Sequence, residues 1–544
     1  MQLAFCKYYI KIKIGYISPN LSKFSLHKSK NDIYRRTNSW INQKFQEILI
    51  NKMETSESRD YENLNSIEIS APSKVLITGC YLIIEPYYSG LVLSCSARLK
   101  TTLKISREGE IKTGETVVKC HSPQMGDKTW VFSLKNIYQD DHTTFSVGLD
   151  EEQTDDSFEF SRAILNTFFS LLPFSQTLPH ESLEQFSKFL DTVSELDFTF
   201  IGDNSLYSFE PESSKEQDKD KPLAKTGMGS SATFITSFIA TLYCLASKKQ
   251  ALSEEELKEV HILAQIANSV CAKKIGSGFD IAAATYGHLV FKRYNTKEDL
   301  PQIIEGIDAI IENNSGESIE ANFKNFSENF SFVPVRFEIP KYFNLCMVCT
   351  SSGSDTRVMV KNLMQWSREH PDPEHENKDT IFSNENWQNL FKFNLEIIEI
   401  FKELKELEST DGYKDQVERF LNKESLDTDV IPSHVSKLTE LNNTMRKHLC
   451  IITEESGVQV EPARVTKILD NFRDRIPNLV MCGVPGAGGD DAVYILYLST
   501  SEDSKVDREV IKKEINKVNE ELETNCGVLP IELNHSEALR IQME

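Results

Sequence analysis

The hydrophobic pattern in the first half of the chain changes its period between Ser94 and Ser230. Residues 74–84 and 90–96 are mostly apolar and predict two strands, with a turn over 85–90 between them. From Ser230 onward, apolar side chains recur every three to four residues, which is the period of a helix. A second helical pattern covers about 253–272. This part of the chain therefore mixes strands and helices.

The second half continues the mixture without a regular alternation of strands and helices. Residues 300–335 and 408–434 are Asn-rich or polar, and they predict connections without regular structure. Such a mixture is typical of the α+β class, and we expect two domains. Further strands are predicted at 288–294, 343–350, 478–484 and 492–498, and further helices at about 356–368, 384–407 and 436–455.

Length and charge narrow the class of protein. The 544 residues suit two or three domains, and a hydrophobic content of 40% is ample for packed cores. The net charge of −22 argues against a nucleic-acid partner, because such proteins carry basic surfaces. An anionic ligand would need cations gathered locally against this background.

The cysteines and the lengths of the apolar runs indicate in which cellular compartment the protein is expected. The CxxC pair Cys346/Cys349 has no second pair at the spacing of a zinc ribbon, so we expect ordinary thiols in a reducing cytoplasm. No apolar run reaches about 18 residues, so we expect no membrane partner.

The first 52 residues differ from the rest in charge. They hold ten Lys/Arg and two acidic residues. Lysines interrupt the first apolar stretch, which argues against a secretory signal; a mitochondrial presequence stays an alternative, although such segments favour arginine. We expect residues 1–52 to be a disordered extension or to precede a true start at Met53. The predicted domains are then 53–335 and 336–544.

The stretch "KTGMGSSAT" (225–233) stands at the start of the first predicted helix. Its glycines permit positive φ and close backbone approach, and a serine would cap the helix. A helix N-terminus preceded by glycines is a candidate phosphate site. The stretch matches neither the P-loop pattern nor GxGxxG. Taken alone, it is better explained as a capped helix after a tight turn.

Two further motifs flank this stretch: "APSKVLITGCYLI" (71–83) and "VPGAGGDDAV" (484–493). In this order the three resemble the motifs of the GHMP kinase superfamily. Agreement at "KIGSGFDIAAATYG", "SGSDT" and "SGVQVEP" narrows the resemblance to fungal-type phosphomevalonate kinases, over about residues 66–540. The resemblance implies a two-domain fold, with an N-terminal domain like domain 2 of ribosomal protein S5 and a ferredoxin-like C-terminal domain.

The resemblance also implies an activity. A phosphomevalonate kinase transfers the γ-phosphate of ATP, with Mg²⁺, to 5-phosphomevalonate in isoprenoid and sterol biosynthesis. We expect small-molecule substrates only, a cytoplasmic location, and a monomer or homodimer. Two alternatives stay open: another GHMP kinase such as mevalonate kinase, and a non-catalytic regulator with the same fold. Such a regulator should lose the catalytic aspartate or the glycine loop.

Site residues are carried over from the family motifs position by position. Lys74 and Asp280 match the catalytic pair, and Ser231 matches the Mg²⁺ ligand. The cations among the acceptor residues could instead be ordinary surface charges. The nucleotide would contact Lys225, Gly227, Met228, Gly229, Ser230, Ser231 and Ala232, and the acceptor Arg98, Lys274, Ser354, Thr356, Arg446, Gly486, Ala487, Gly488 and Gly489.

Three departures from the family pattern concern the site. Ser73 replaces a glycine in the first motif, and a serine would be strained there if the position needs a positive φ. Ala272 and Ser351 replace larger polar or basic residues, which affects the expected acceptor contacts.

Overall fold

The chain forms two sheets covered by helices. The computed structural model describes residues 60–544 except 126–127, 140–141, 150–155, 207–226, 295–298, 313–318, 351–355, 376, 378, 427, 502–503 and 535–537. Within them, the strands are β1 Ser66–Leu76, β2 Ser89–Ser106, β3 Glu115–Ser122, β4 Lys128–Gln139, β5 His142–Leu149, β6 Glu195–Gly202, β7 Leu289–Lys292, β8 Val335–Arg336, β9 Phe343–Cys349, β10 Leu479–Gly483, β11 Ala492–Leu498, β12 Gly527–Leu529 and β13 Arg540–Met543.

Helices account for most of the remaining described residues. They are α1 Asp156–Leu171, α2 His180–Leu190, α3 Ser230–Ser247, α4 Glu254–Ala272, α5 Phe279–Tyr286, α6 Asp299–Ile311, α7 Glu320–Glu328, α8 Thr356–Glu369, α9 Glu385–Leu407, α10 Tyr413–Leu421, α11 Val430–Ser456, α12 Ala463–Arg475 and α13 Ser504–Leu522.

The larger sheet is built around the long strand β2. Its strand order is β13-β1-β2-β6-β3-β4-β5, and β7 and β8 extend it beside the first part of β2. Helices α3 and α5 pack on β1 and β2, and α4 packs on α3. These elements enclose the first hydrophobic core.

Helix α3 lies at the centre of this core. Nearly all of its side chains are buried, as its apolar composition predicts. Among the described residues it is the one helix long and apolar enough to cross a membrane by length and composition, and 89% of it is buried inside the protein. This burial accounts for its apolar composition.

The second sheet is antiparallel, in the order β10-β11-β9-β12. Helices α11 and α12 pack on β10, and α9 packs on α11 and on β2. Val75 and Ile77 lie in the second core, whereas Leu76 lies in the first core. The two cores therefore cover opposite faces of β1 and β2. Strand β1 thus runs between the two cores.

The chain returns to the first sheet at its end. Strand β13 pairs with β1, from Met543 opposite Ile67 to Arg540 opposite Ser70. The domain limits 53–335 and 336–544 stay a prediction, but this last strand belongs to the larger sheet. The first 52 residues lie outside the described part of the chain.

Three of the predicted segments are wrong. The strand predicted over 74–84 ends at Leu76; Gly79 then takes φ +101° and a 3₁₀ helix follows. A Cβ at Gly79 would lie 2.6 Å from the Cα of Gly90, so the chain turns where it crosses β2. The segments 300–335 and 408–434 contain helices because amphipathic helices expose enough polar side chains to resemble loops.

Candidate active site

A cleft of 830 Å³ opens where the two cores meet. Its walls come from the end of β1, the start of α3, the turn before α5, helix α8 and the loop between β10 and β11. These segments carry the three motifs and Thr356, the last residue of "SGSDT". The fold therefore brings together motifs that are far apart in the sequence.

Lys74 reaches the cleft from an irregular part of β1. The pairing of β1 with β2 shifts register between Pro72 and Lys74. The Lys74 backbone N–H donates to the Met228 carbonyl at 3.2 Å, and its Nζ donates to the Gly227 carbonyl at 2.9 Å. The ammonium also lies 5.0 Å from the ring centre of Phe279. The side chain is thus held against the glycine loop.

Ser73 is accommodated without the strain considered above. It lies inside β1, and it is not among the described residues with a positive φ. A glycine is therefore not required at this position. Ser73 is fully buried beside Lys74.

The N-cap of helix α3 differs from the predicted one. The N-cap is Gly229, at φ +83°, and no side chain caps the helix. The predicted serine cap is therefore wrong. Ser231 lines the cleft with Gly227 and Met228, whereas Ser230 is buried and its carbonyl accepts the Thr233 hydroxyl.

The two other predicted residues of this motif are Ala232 and Lys225. Ala232 is buried in the first core. Lys225 lies outside the described residues, as does Ser354 of the acceptor motif. Their predicted contacts stay predictions.

Asp280 is positioned by the start of α5. Gly278 is the N-cap at φ +86°, and the Asp280 carboxylate accepts the backbone N–H of Ile281 at 3.0 Å. Beneath this turn, the Gln265 amide donates to the Gly278 carbonyl at 2.7 Å and lies 2.8 Å from the ring nitrogen of His261. This buried support is not visible in the sequence, because its residues belong to an apolar helical pattern.

Lys74 and Asp280 both pack against Gly229. A Cβ at Gly229 would lie 3.1 Å from Cε of Lys74 and 3.8 Å from Cβ of Asp280. Burial lowers the pKa of Lys74 below its usual value, and the Asp280 carboxylate raises that pKa again in part. The two residues therefore interact electrostatically, as the resemblance implies.

This interaction predicts a pH effect. If the cleft is catalytic, activity requires the Lys74 ammonium and falls as pH rises through its lowered pKa. Asp280→Asn removes the charge that raises this pKa, so the alkaline limb of kcat/KM should move to lower pH. A pH–rate profile of both proteins measures it. A limb that stays in place or moves to higher pH would contradict the interaction.

The third glycine motif closes one side of the cleft. Gly486, Gly488 and Gly489 have φ values of +65°, +77° and +104°. The Tyr81 hydroxyl donates to the Ala487 carbonyl at 2.8 Å, which ties this loop to the 3₁₀ helix after β1. Gly486, Ala487 and Gly488 line the cleft.

Gly489 has a supporting position instead. It is buried, it does not line the cleft, and its N–H donates to the Val460 carbonyl at 3.0 Å. Its predicted contact with the acceptor is therefore replaced by a contact that holds the loop.

Two predicted acceptor residues lie away from the cleft. Arg98 donates to the carbonyls of Ser70 and Ala538 at 2.7 and 2.6 Å, and so fastens the returning C-terminal segment. Arg446 is buried in ion pairs with Glu461 at 2.7 Å and Asp470 at 3.0 Å. Burial alone would lower the pKa of Arg446, but these carboxylates raise it overall.

Lys274 and Thr356 do line the cleft, and so do four cations that the sequence analysis missed. Three of these four cations recur at helical spacing in α8. In a sequence, an exposed helix face has the same polar pattern whether it borders a cleft or bulk solvent. In all, six cations and two carboxylates of the described residues line it. The cations are Lys74, Lys274, Arg293, Arg357, Lys361 and Arg368, and the carboxylates Asp280 and Asp491.

A resident metal centre has little support in the part of the chain that the structure describes. It contains no group of three or more His, Cys, Asp or Glu side chains that could hold a metal ion. The ten described cysteines are free thiols, including the pair Cys346/Cys349. The cleft does offer the hydroxyl of Ser231 and the carboxylate of Asp280, which are oxygen donors of the kind that Mg²⁺ prefers.

Comparison with known proteins identifies related sequences. The profile of the family described as GHMP kinases N terminal domain matches residues 214–288, which include the glycine loop and Asp280. A phosphomevalonate kinase of Candida albicans is 27% identical over 440 residues, covering 79% of this chain and 89% of the relative. The Arabidopsis thaliana protein named "Phosphomevalonate kinase, peroxisomal" is 26% identical over 492 residues, covering 80% and 90%.

A solved structure also resembles the fold. The crystal structure of a Lin0012 protein from Listeria innocua has a TM-score of 0.52 and 15% sequence identity, and covers 88% of this chain and 99% of that chain. At this identity the likeness concerns the fold.

Proposed function

Since the chain belongs to the GHMP kinase superfamily, we propose that it is a phosphomevalonate kinase. It transfers the γ-phosphate of ATP to 5-phosphomevalonate, which gives 5-diphosphomevalonate and ADP in the mevalonate pathway of isoprenoid and sterol biosynthesis. The relatives that carry this name align over about four-fifths of the chain.

The convergence of Lys74, Ser231 and Asp280 in one cation-rich cleft is the observation that carries the proposal. Both substrates are polyanions, and their reacting phosphates must come within bonding distance. The chain as a whole has a net charge of −22. A local excess of cations in this cleft is therefore what the reaction requires.

Mg²⁺ belongs to the nucleotide substrate in this proposal. Because the described residues hold no cluster of acidic ligands, the ion enters as Mg·ATP, with the Ser231 hydroxyl, which lines the cleft, as an oxygen ligand. The start of α3 supplies backbone N–H groups that have no partner within the helix and can bind the phosphates.

The catalytic pair has unequal roles. The second pKa of a phosphate monoester is about 6, so the acceptor is largely dianionic at neutral pH and needs little help from a base. Lys74 neutralises charge between the acceptor phosphate and the γ-phosphate. Asp280, which packs with Lys74 against Gly229, orients Lys74 and the acceptor.

The location in the cell and the oligomeric state are separate predictions. The cytoplasmic location stays a prediction, and the Arabidopsis relative is named peroxisomal. A monomer or homodimer likewise stays a prediction.

An ADP-release assay tests the proposal. With Mg·ATP, the purified protein should turn over (R)-5-phosphomevalonate and leave mevalonate largely unused. Turnover of mevalonate alone would identify a mevalonate kinase instead. Absence of turnover with both acceptors, in a protein that binds ATP, would favour a non-catalytic member of the superfamily.

A further inference from the structure

Helix α8 carries its positive charge along one line. Its cations are Arg357, Lys361 and Arg368, hereafter the α8 cation row, and all three line the cleft. At 3.6 residues per turn they fall within an arc of about 40° on the helix surface. The three cations therefore lie together on the side of α8 that borders the cleft.

The remaining surface of α8 shows that this arrangement is selective. The buried face contains Leu363 and Ser367, and the Ser367 hydroxyl accepts the indole N–H of Trp387 at 3.1 Å. The solvent-facing positions Val358, Asn362 and Gln365 are uncharged, and Glu369 on the same face is acidic. Positive charge is thus confined to the edge between the second core and the cleft.

Two lysines near the C-terminal end of α9 form ion pairs. On α9, Lys402 pairs with Glu399 at 3.0 Å and Lys405 with Glu408 at 2.9 Å. In the described part of the chain, Lys361 and Arg368 make no ion pair with a carboxylate. They remain available to an external anion.

We propose that the α8 cation row binds the anionic groups of the acceptor and not those of the nucleotide. This inference rests on the proposed function. The Lys74 ammonium is held on the Gly227 carbonyl at the glycine loop, which serves the ATP phosphates, whereas α8 is a separate wall of the cleft, anchored by Leu363 in the second core. Arg357 and Arg368 are eleven residues apart, about 16 Å along the axis, which exceeds a single phosphate group.

The proposed acceptor has two anionic groups that members of this row can contact. 5-Phosphomevalonate carries a phosphate at one end and a carboxylate at the other. Charge-assisted contacts with either group contribute to its affinity. The row therefore makes the enzyme selective for an acceptor with two anionic ends.

Equilibrium binding by calorimetry tests the inference without requiring turnover. Lys361→Ala should weaken the binding of (R)-5-phosphomevalonate about 10-fold, and Lys361→Ala/Arg368→Ala about 100-fold. The affinity for Mg·ATP should change less than about 3-fold. Lys392→Ala is the control, because Lys392 is exposed on α9 and does not line the cleft.

Mevalonate, which has the carboxylate but no phosphate, locates the contact. If its binding also falls in Lys361→Ala, the row holds the carboxylate end. If only phosphomevalonate is affected, the row holds the phosphate. Both results support an acceptor site.

Two results would overturn the inference. One is unchanged phosphomevalonate binding in the double variant, and the other is a loss that falls on Mg·ATP instead. Failure of the wild-type protein to release ADP while it still binds phosphomevalonate would count against the proposed function alone. Failure of the wild type to bind phosphomevalonate would overturn both.

Discussion

Lys74→Ala should lower kcat with 5-phosphomevalonate about 10³-fold, because a cation that stabilises charge in phosphoryl transfer contributes on this scale. Lys74 donates to the Gly227 carbonyl at 2.9 Å, so its ammonium is already placed beside the glycine loop. Steady-state kinetics at saturating ATP and acceptor measure the loss. Circular dichroism and a urea titration check that the variant is folded.

Asp280→Asn provides the comparison that decides the mechanism. If Asp280 orients its neighbours, its loss of charge should lower kcat only about 10-fold. A general base would contribute about 10²–10⁴-fold. A loss larger than that of Lys74→Ala would refute the assignment of the main role to Lys74.

Gly488→Ala should disrupt the third glycine loop. A Cβ at Gly488 would lie 2.0 Å from the Val460 carbonyl oxygen, and the residue has φ +77°. The left-handed conformation alone costs an alanine about 1–2 kcal/mol, and the overlap displaces the loop from the cleft. We expect kcat/KM to fall about 100-fold, since small misplacements in an active site have effects of this size.

Gly486→Ala is the matched control for the same loop. Gly486 has φ +65°, but a Cβ there would meet nothing within 4 Å. It therefore carries the conformational cost of about 1–2 kcal/mol without the overlap. Urea unfolding and kinetics of both variants separate the two effects. Equal losses of activity would show that strain, and not contact with Val460, governs the loop.

Most of the candidate site was predictable because its motifs are local. Glycines at 227, 229, 486 and 488 have the positive φ values that such patterns predict. Helix α3 also begins at Ser230, where the hydrophobic period changes. The cap was wrong, since Gly229 takes the position that a serine was expected to occupy.

The errors among the cations have a common cause. Arg98, Arg446 and the α8 cation row are equally polar in the sequence. In the fold, Arg98 holds a returning segment and Arg446 is buried with Glu461, whereas the row borders the cleft. Whether a cation meets a carboxylate, a carbonyl or a cavity depends on distant parts of the chain.

The residues alone were enough to find the resemblance to the GHMP kinases, the order of the three motifs, and Lys74, Ser231 and Asp280 as candidate site residues. This was possible because glycine patterns and helix starts reflect conformational preferences of a few consecutive residues. Only the tertiary structure decided which groups meet. Lys74 and Gly227 are 153 residues apart and in contact, since strand β1 runs between two cores and ends beside the start of α3.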